Sequence, residues 1–146
     1  MATATKLDWK LELIVVPVTD VDRAKAFYSE KCGFKVDVDQ KAGDNWRVVQ
    51  LTPPGSACSI AIGKGLAKSA PGSLQGLQLC VTDIVAAHEE LAKRGIEVSP
   101  IQLIGMESKE WVPYNESARP PDWETFFFFS DPDGNGWAVQ QVPEKR

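Results

Sequence analysis

Histidine is nearly absent: His88 is the single imidazole among 146 residues. A catalytic zinc held by two or three imidazoles of one chain is thereby excluded. A serine nucleophile would have to take its base from His88, which the run AAHEELAKR places on a helix surface among polar neighbours. Cysteine is scarce and odd in number, and Cys32, Cys58 and Cys80 form no CxxC pair. That argues against a disulfide framework and for a reduced, cytoplasmic setting. Cys58 and Cys80 lie in apolar alternating runs, where a thiol packs as a small hydrophobe. No basic block exists: 16 Lys and Arg face 20 Asp and Glu, for a net charge of -4. Neither nucleic acid nor an anionic membrane has an electrostatic reason to bind. The longest purely apolar stretches run to about five residues, too few to span a bilayer. The opening MATATKLDWK lacks the apolar core of a signal peptide. There is no GxxxxGK phosphate loop, and DPDGN lacks the later acidic ligands of a calcium loop.

What is present is enough apolar sequence, 43% of the chain, to build a packed core. Leu11–Val18 reads as a buried strand ended by Pro17. Thr19 or Asp20 can cap the helix that follows, and Gly33 can end it. Phe34–Val38, Trp46–Leu51 and Cys58–Ile62 read as strands, with Asp39–Asn45 as a polar turn. After a linker rich in Gly, Ser, Ala and Lys, the pattern returns. Leu77–Val81 is a strand, Thr82-Asp83 a cap, Ile84–Arg94 a helix ended by Gly95, and Ile96–Val98 a strand. Phe126–Phe129 and Trp137–Val142 supply the last two strands.

The recurrence is internal repetition. Val18-Thr19-Asp20 maps onto Val81-Thr82-Asp83 at an offset of 63, and Gly33 onto Gly95 at 62. Pro53-Pro54-Gly55-Ser56 maps onto Pro132-Asp133-Gly134-Asn135 at an offset of 79. The larger offset places an insertion within residues 99–124. The expected organisation is one domain over 1–146, with module one at 9–63, a linker at 64–75 and module two at 76–143. Two such units, each too small to bury its own sheet, pack as a pair.

The segment VPVTDVDRAKAFYSEKCGF, the repeated Val-Thr-Asp and the terminal SDPDGNGWAVQQV resemble the glyoxalase, bleomycin-resistance and extradiol dioxygenase superfamily, also called vicinal oxygen chelate. The resemblance implies an α+β fold of two βαβββ modules forming an incomplete, cup-shaped barrel around a pocket. It also implies a homodimer and, in many members, a divalent metal. The ligand positions carried over fall on Leu13, on Gly76 or Gln78, near Ser59–Ala61 and near Gln140 or Gln141. Neutral amides without carboxylate or imidazole hold divalent metals weakly, so neither metal nor other cofactor is expected.

The candidate site residues follow from strand parity and the insertion. Arg47 sits in the alternating run WRVVQ, either facing inward as an anchor for an anion or carbonyl or lying on the surface. Gln50 and Gln78 are candidate polar contacts, and of Gln140 and Gln141 only one can face the pocket. Phe127 or Phe129 is expected to wall it. Trp111, Tyr114 and Trp123 of the insertion suit a flat organic ligand, or alternatively cover a sheet edge or a dimer contact. Glu124 is the acid–base candidate. These residues point to a small-molecule pocket, with metal-independent lyase or isomerase chemistry on a carbonyl-bearing or aromatic compound. Sequestration of a drug or metabolite and metal-dependent glyoxalase or dioxygenase chemistry are the alternatives.

Overall fold

Two short aspartate-capped helices and nine strands follow one another in the computed structural model, which describes residues 6–144. The first half runs β1 (Leu13–Val15), α1 (Val21–Ala26), a π-helical turn (Phe27–Lys31), β2 (Lys35–Ala42), β3 (Trp46–Thr52) and β4 (Ser59–Lys64). The second runs β5 (Leu77–Val81), α2 (Ile84–Lys93), β6 (Gln102–Ile104), β7 (Trp111–Pro113), β8 (Thr125–Ser130) and β9 (Gly136–Gln141). Asp20 accepts from the Arg23 amide, and Asp83 from the Ala86 amide at 3.0 Å. The repeated Val-Thr-Asp thus starts each helix by satisfying an orphan N–H.

The first sheet has the order β1-β4-β3-β2 and the second β5-β9-β8-β6-β7. β1 and β4 are parallel, as are β5 and β9, and the remaining pairs are antiparallel. Without β7 the two orders are equivalent. The segments Pro53–Ser56 and Pro132–Asn135 fall in the matching connections between the last two strands of each sheet. The chain therefore forms two mixed sheets and an open barrel.

Four features differ from the sequence reading. β1 is confined to Leu13–Val15 of the expected Leu11–Val18. No strand forms at Ile96–Val98. Ser99 donates its amide to the Phe128 carbonyl at 2.9 Å, but Pro100 then lacks a ladder donor and regular pairing begins only at Gln102. Residues 39–42 are not a turn; they lengthen β2 and pair with 46–49 of β3. The inserted stretch contributes β7, which hydrogen-bonds β6 and adds a fifth strand at the sheet edge.

Each sheet has one helix-bearing face and one open face. Val49, Leu51, Ile60 and Ile62 of the first sheet share a buried cluster with Phe127, Phe129, Trp137 and Val139 of the second. Phe27 packs on Phe129 at 6.3 Å and Tyr28 on Trp137 at 5.7 Å. The helix-bearing faces of both sheets thus contribute to one core. Of the residues of alternate parity, Val15, Gln78, Cys80 and Phe128 are exposed, while Ser59 and Ala61 of β4 are buried.

A buried polar network ties the two halves. The Tyr28 hydroxyl donates to Asp131 at 2.7 Å and accepts from the Trp137 indole at 2.9 Å. Asn135 donates its side-chain amide to Asp131 at 2.8 Å and to the Pro17 carbonyl at 2.8 Å. Burial, and then the Asp131 carboxylate, push the Tyr28 phenol far above its ordinary value of 10, so it remains a donor. The linker closes over this network: Gly72 donates to the Pro17 carbonyl at 3.1 Å, and a side chain at Gly72 would collide with the Asp133 carbonyl.

Arg47 stitches α1 to the first sheet. Its guanidinium donates to Asp39 at 3.0 and 2.9 Å and to Asp22 at 2.7 Å, while Lys25 reaches Asp39 at 2.7 Å. The Arg47 hydrogen bonds hold both carboxyl groups below their ordinary value of 3.8, Asp39 far below it. A depressed folded-state pKa means that the unfolded chain binds the proton more readily. The stability is present above the unfolded value near 3.8 and is lost as pH falls through the folded one. Thermal unfolding between pH 7 and pH 3 checks this. The wild-type Tm is expected to fall more on acidification than that of Arg47→Met, by a modest margin because exposed ion pairs are screened.

Candidate ligand-binding face

Four consecutive phenylalanines, Phe126–Phe129, occupy β8, and period-two alternation sends them to opposite faces. Phe127 and Phe129 are 0% and 4% exposed in the core. Phe127 and Phe129, expected to wall the pocket, point into the core, and Phe126 and Phe128 point to the open face. The latter two rings stack at 6.4 Å with an interplanar angle of 5°. Trp111 of β7 meets each of them edge-on at 5.5 Å. Phe128 stands opposite Ala138 of β9, whose small side chain leaves the ring uncrowded. Trp111 and Phe128 remain 44% and 36% exposed, so the three rings form an apolar platform open to solvent.

Beside the rings lie the amides of β5 and β9. Gln78 and Cys80 are exposed and pair with Ala138 and Gln140. Gln78 donates to Gln140 at 2.7 Å, and Gln140 donates to the Trp123 carbonyl at 2.8 Å. Trp123 adopts a left-handed backbone with φ 70°, and its amide donates to the Gln141 carbonyl at 2.7 Å. A non-glycine residue held in that region is strained and persists only where its surroundings fix it. Trp123 is half-exposed, and Glu124, half-buried, follows it into β8.

The other sequence candidates lie elsewhere. Gln141 is 2% exposed and faces the core. Its side chain accepts from the Ile84 amide at 3.1 Å and donates to the Pro120 carbonyl at 2.6 Å, joining the start of α2 to the end of the insertion. Tyr114 donates its hydroxyl to the Ala118 carbonyl and lines a cavity of about 730 Å³ with His88 and Glu89 of α2. His88 is half-buried rather than on the helix surface. Its Nε2 lies 2.9 Å from the Ser99 carbonyl and its ring meets Phe127 edge-on at 5.1 Å. Gln50 lies in the first sheet and donates to Ser59 at 3.2 Å. Arg47 is also in the first sheet, with its guanidinium bound by Asp39 and Asp22. Arg47 and Glu124 are therefore not brought together. Burial pushes the Cys32 thiol up to about 12, so it stays protonated at neutral pH.

The residues at the family's ligand positions do not fit a divalent metal. Leu13 pairs with Ser59, while Gln78 and Gln140 hydrogen-bond each other. This donor set has no carboxylate or imidazole to compete with water for the ion. Among the described residues, no three His, Cys, Asp or Glu side chains gather to hold one. No described helix is long and apolar enough to cross a membrane.

Paired βαβββ units with one open face per sheet define a glyoxalase-like class of protein. The family model for the Glyoxalase/Bleomycin resistance protein/Dioxygenase superfamily matches residues 10–139, and the chain belongs to that superfamily. It is similar to TnmS3, an antibiotic binding protein from Streptomyces sp. CB03234, with 32% identity and a TM-score of 0.72, covering 94% of this chain and 99% of that one. A glyoxalase/bleomycin resistance protein from the same Streptomyces strain is 34% identical at a TM-score of 0.68, covering 90% and 100%. Among curated proteins, uncharacterized protein YetH of Bacillus subtilis (strain 168) is 24% identical over 131 residues, covering 88% of this chain and 94% of YetH.

Proposed function

We propose that this protein binds a flat aromatic small molecule on the open face of its second sheet and holds it without transforming it. The observation that carries the reading is the exposed platform of Trp111, Phe126 and Phe128 beside the Gln78–Gln140 pair. Rings stack on such a surface through offset and edge contacts, and a few amides orient them. The likeness to an antibiotic binding protein supports the same reading. Binding requires no metal, because the polar contacts are neutral amides. The occupied unit is a homodimer. Leu11 and Val15, at 66% and 37% exposure on and beside the edge strand β1, lie away from the platform and are the apolar surface a second copy would cover.

Calorimetric titration with 1-naphthol, with and without a chelator, tests the reading, together with sedimentation at micromolar concentration. The expected result is a dimer that binds equally well in chelator and releases the compound unchanged. Phe128→Ala is expected to weaken binding about tenfold. No binding, or binding indifferent to Phe128→Ala, overturns the reading. A second reading, a metal-independent lyase or isomerase, rests on Glu124 beside Trp123. Mass spectrometry showing conversion of the ligand, lost in Glu124→Gln, would favour it.

A further inference from the structure

A primary amide can sit either way round, so two facing glutamines on paired strands leave the direction of their hydrogen bond open. Here one end is anchored. The Trp123 carbonyl has lone pairs and no proton, so the atom of Gln140 placed 2.8 Å from it must be the Nε2 donor. Gln140 therefore turns its Oε1 toward Gln78. That oxygen requires a donor, so Gln78 presents Nε2 at 2.7 Å. The Gln78 Oε1 is left on the remaining side of its amide, on the exposed face, with no donor from a described residue. The anchor is itself fixed, because the Trp123 amide is bound to the Gln141 carbonyl at 2.7 Å and Gln141 is buried with both ends of its side-chain amide engaged.

We infer that Gln78 selects ligands bearing a hydrogen-bond donor, a phenolic hydroxyl or a ring N–H, and that Gln140 imposes this polarity from the Trp123 carbonyl. The inference rests on the binding reading above and adds the chemical class of ligand. Gln140 is a positioning residue and Gln78 touches the ligand. The second N–H of Gln78 still tolerates ethers and ketones, so the device grades affinity and does not bar them.

The test compares 1-naphthol with 1-methoxynaphthalene, which share their rings and differ by one O–H donor, in calorimetric titration of the full chain. Wild type is expected to bind the naphthol about tenfold more tightly, although the ether is the more apolar compound. Gln78→Leu should bind both alike, near the affinity wild type has for the ether. Gln140→Leu should narrow the preference while retaining ring binding, because the Gln78 amide is then free to turn. Equal affinities in wild type, or a preference that persists in Gln78→Leu, overturns the inference and leaves the aromatic platform standing. Failure of both compounds to bind overturns the binding reading and this inference with it. Gln78 is exposed, so the leucine variant is expected to fold, and its circular dichroism and Tm provide the control.

Discussion

Phe127→Ala is expected to destabilise the fold by about 3–5 kcal/mol, on the order of 10 °C in Tm. Phe128→Ala, one residue along the same strand, is expected to leave Tm within a few degrees and to lose ligand affinity. The contrast follows from parity. Phe127 is fully buried in the shared core and carries the edge of His88, whereas Phe128 is 36% exposed on the open face. Removing the first leaves a cavity that rigid strands cannot fill. Removing the second takes away surface that water already touched. Thermal melts of both variants, read against naphthol titration, check the pair. Equal losses of stability would mean that the face assignment of β8 is inverted.

Asp131→Ala is expected to produce the other large effect, a loss of about 3 kcal/mol or more. The carboxylate accepts from the Tyr28 hydroxyl, the Asn135 side chain and the backbone amides of Asp133 and Asn135, at 2.7 to 3.0 Å. Without it these donors lie in a region too dry to solvate them, and the connection from Tyr28 to the β8–β9 turn is lost. Tyr28→Phe removes a single member and should cost less, about 1–3 kcal/mol, because the Trp137 indole then lacks its acceptor. Denaturant unfolding measures both. A larger loss for Tyr28→Phe than for Asp131→Ala would contradict the network as drawn.

The scaffold was legible because its punctuation is local. Asp20 and Asp83 cap helices through amides three residues away, and Gly33 and Gly95 take positive φ where the helices stop. The matched turns were legible for the same reason. The faces were harder. Four phenylalanines in a row carry no polar alternation, so the inward pair is decided by register, with Phe127 against Val139 and Phe128 against Ala138. Arg47 was ambiguous because its partners, Asp22 on α1 and Asp39 on β2, lie on two other elements that only the fold brings to it. Gln140 and Gln141 alternate by necessity. What sequence could not assign was which of them is buried, since that depends on the Ile84 amide and the Pro120 carbonyl meeting at Gln141. Pro100 was a readable signal, and its missing N–H accounts for the delayed start of β6.

β7 is three residues long, all exposed, and is paired on one side alone with β6. An edge strand of this kind opens locally at a small fraction of the free energy that unfolds the core. Trp111 rides on it, while Phe126 and Phe128 belong to β8 inside the sheet. The platform therefore joins two rings set by the global fold to one that frays with its strand. Closing a third ring over a ligand becomes a local ordering event, and slower amide hydrogen exchange along β7 is its natural signature while the rest of the sheet stays as it was.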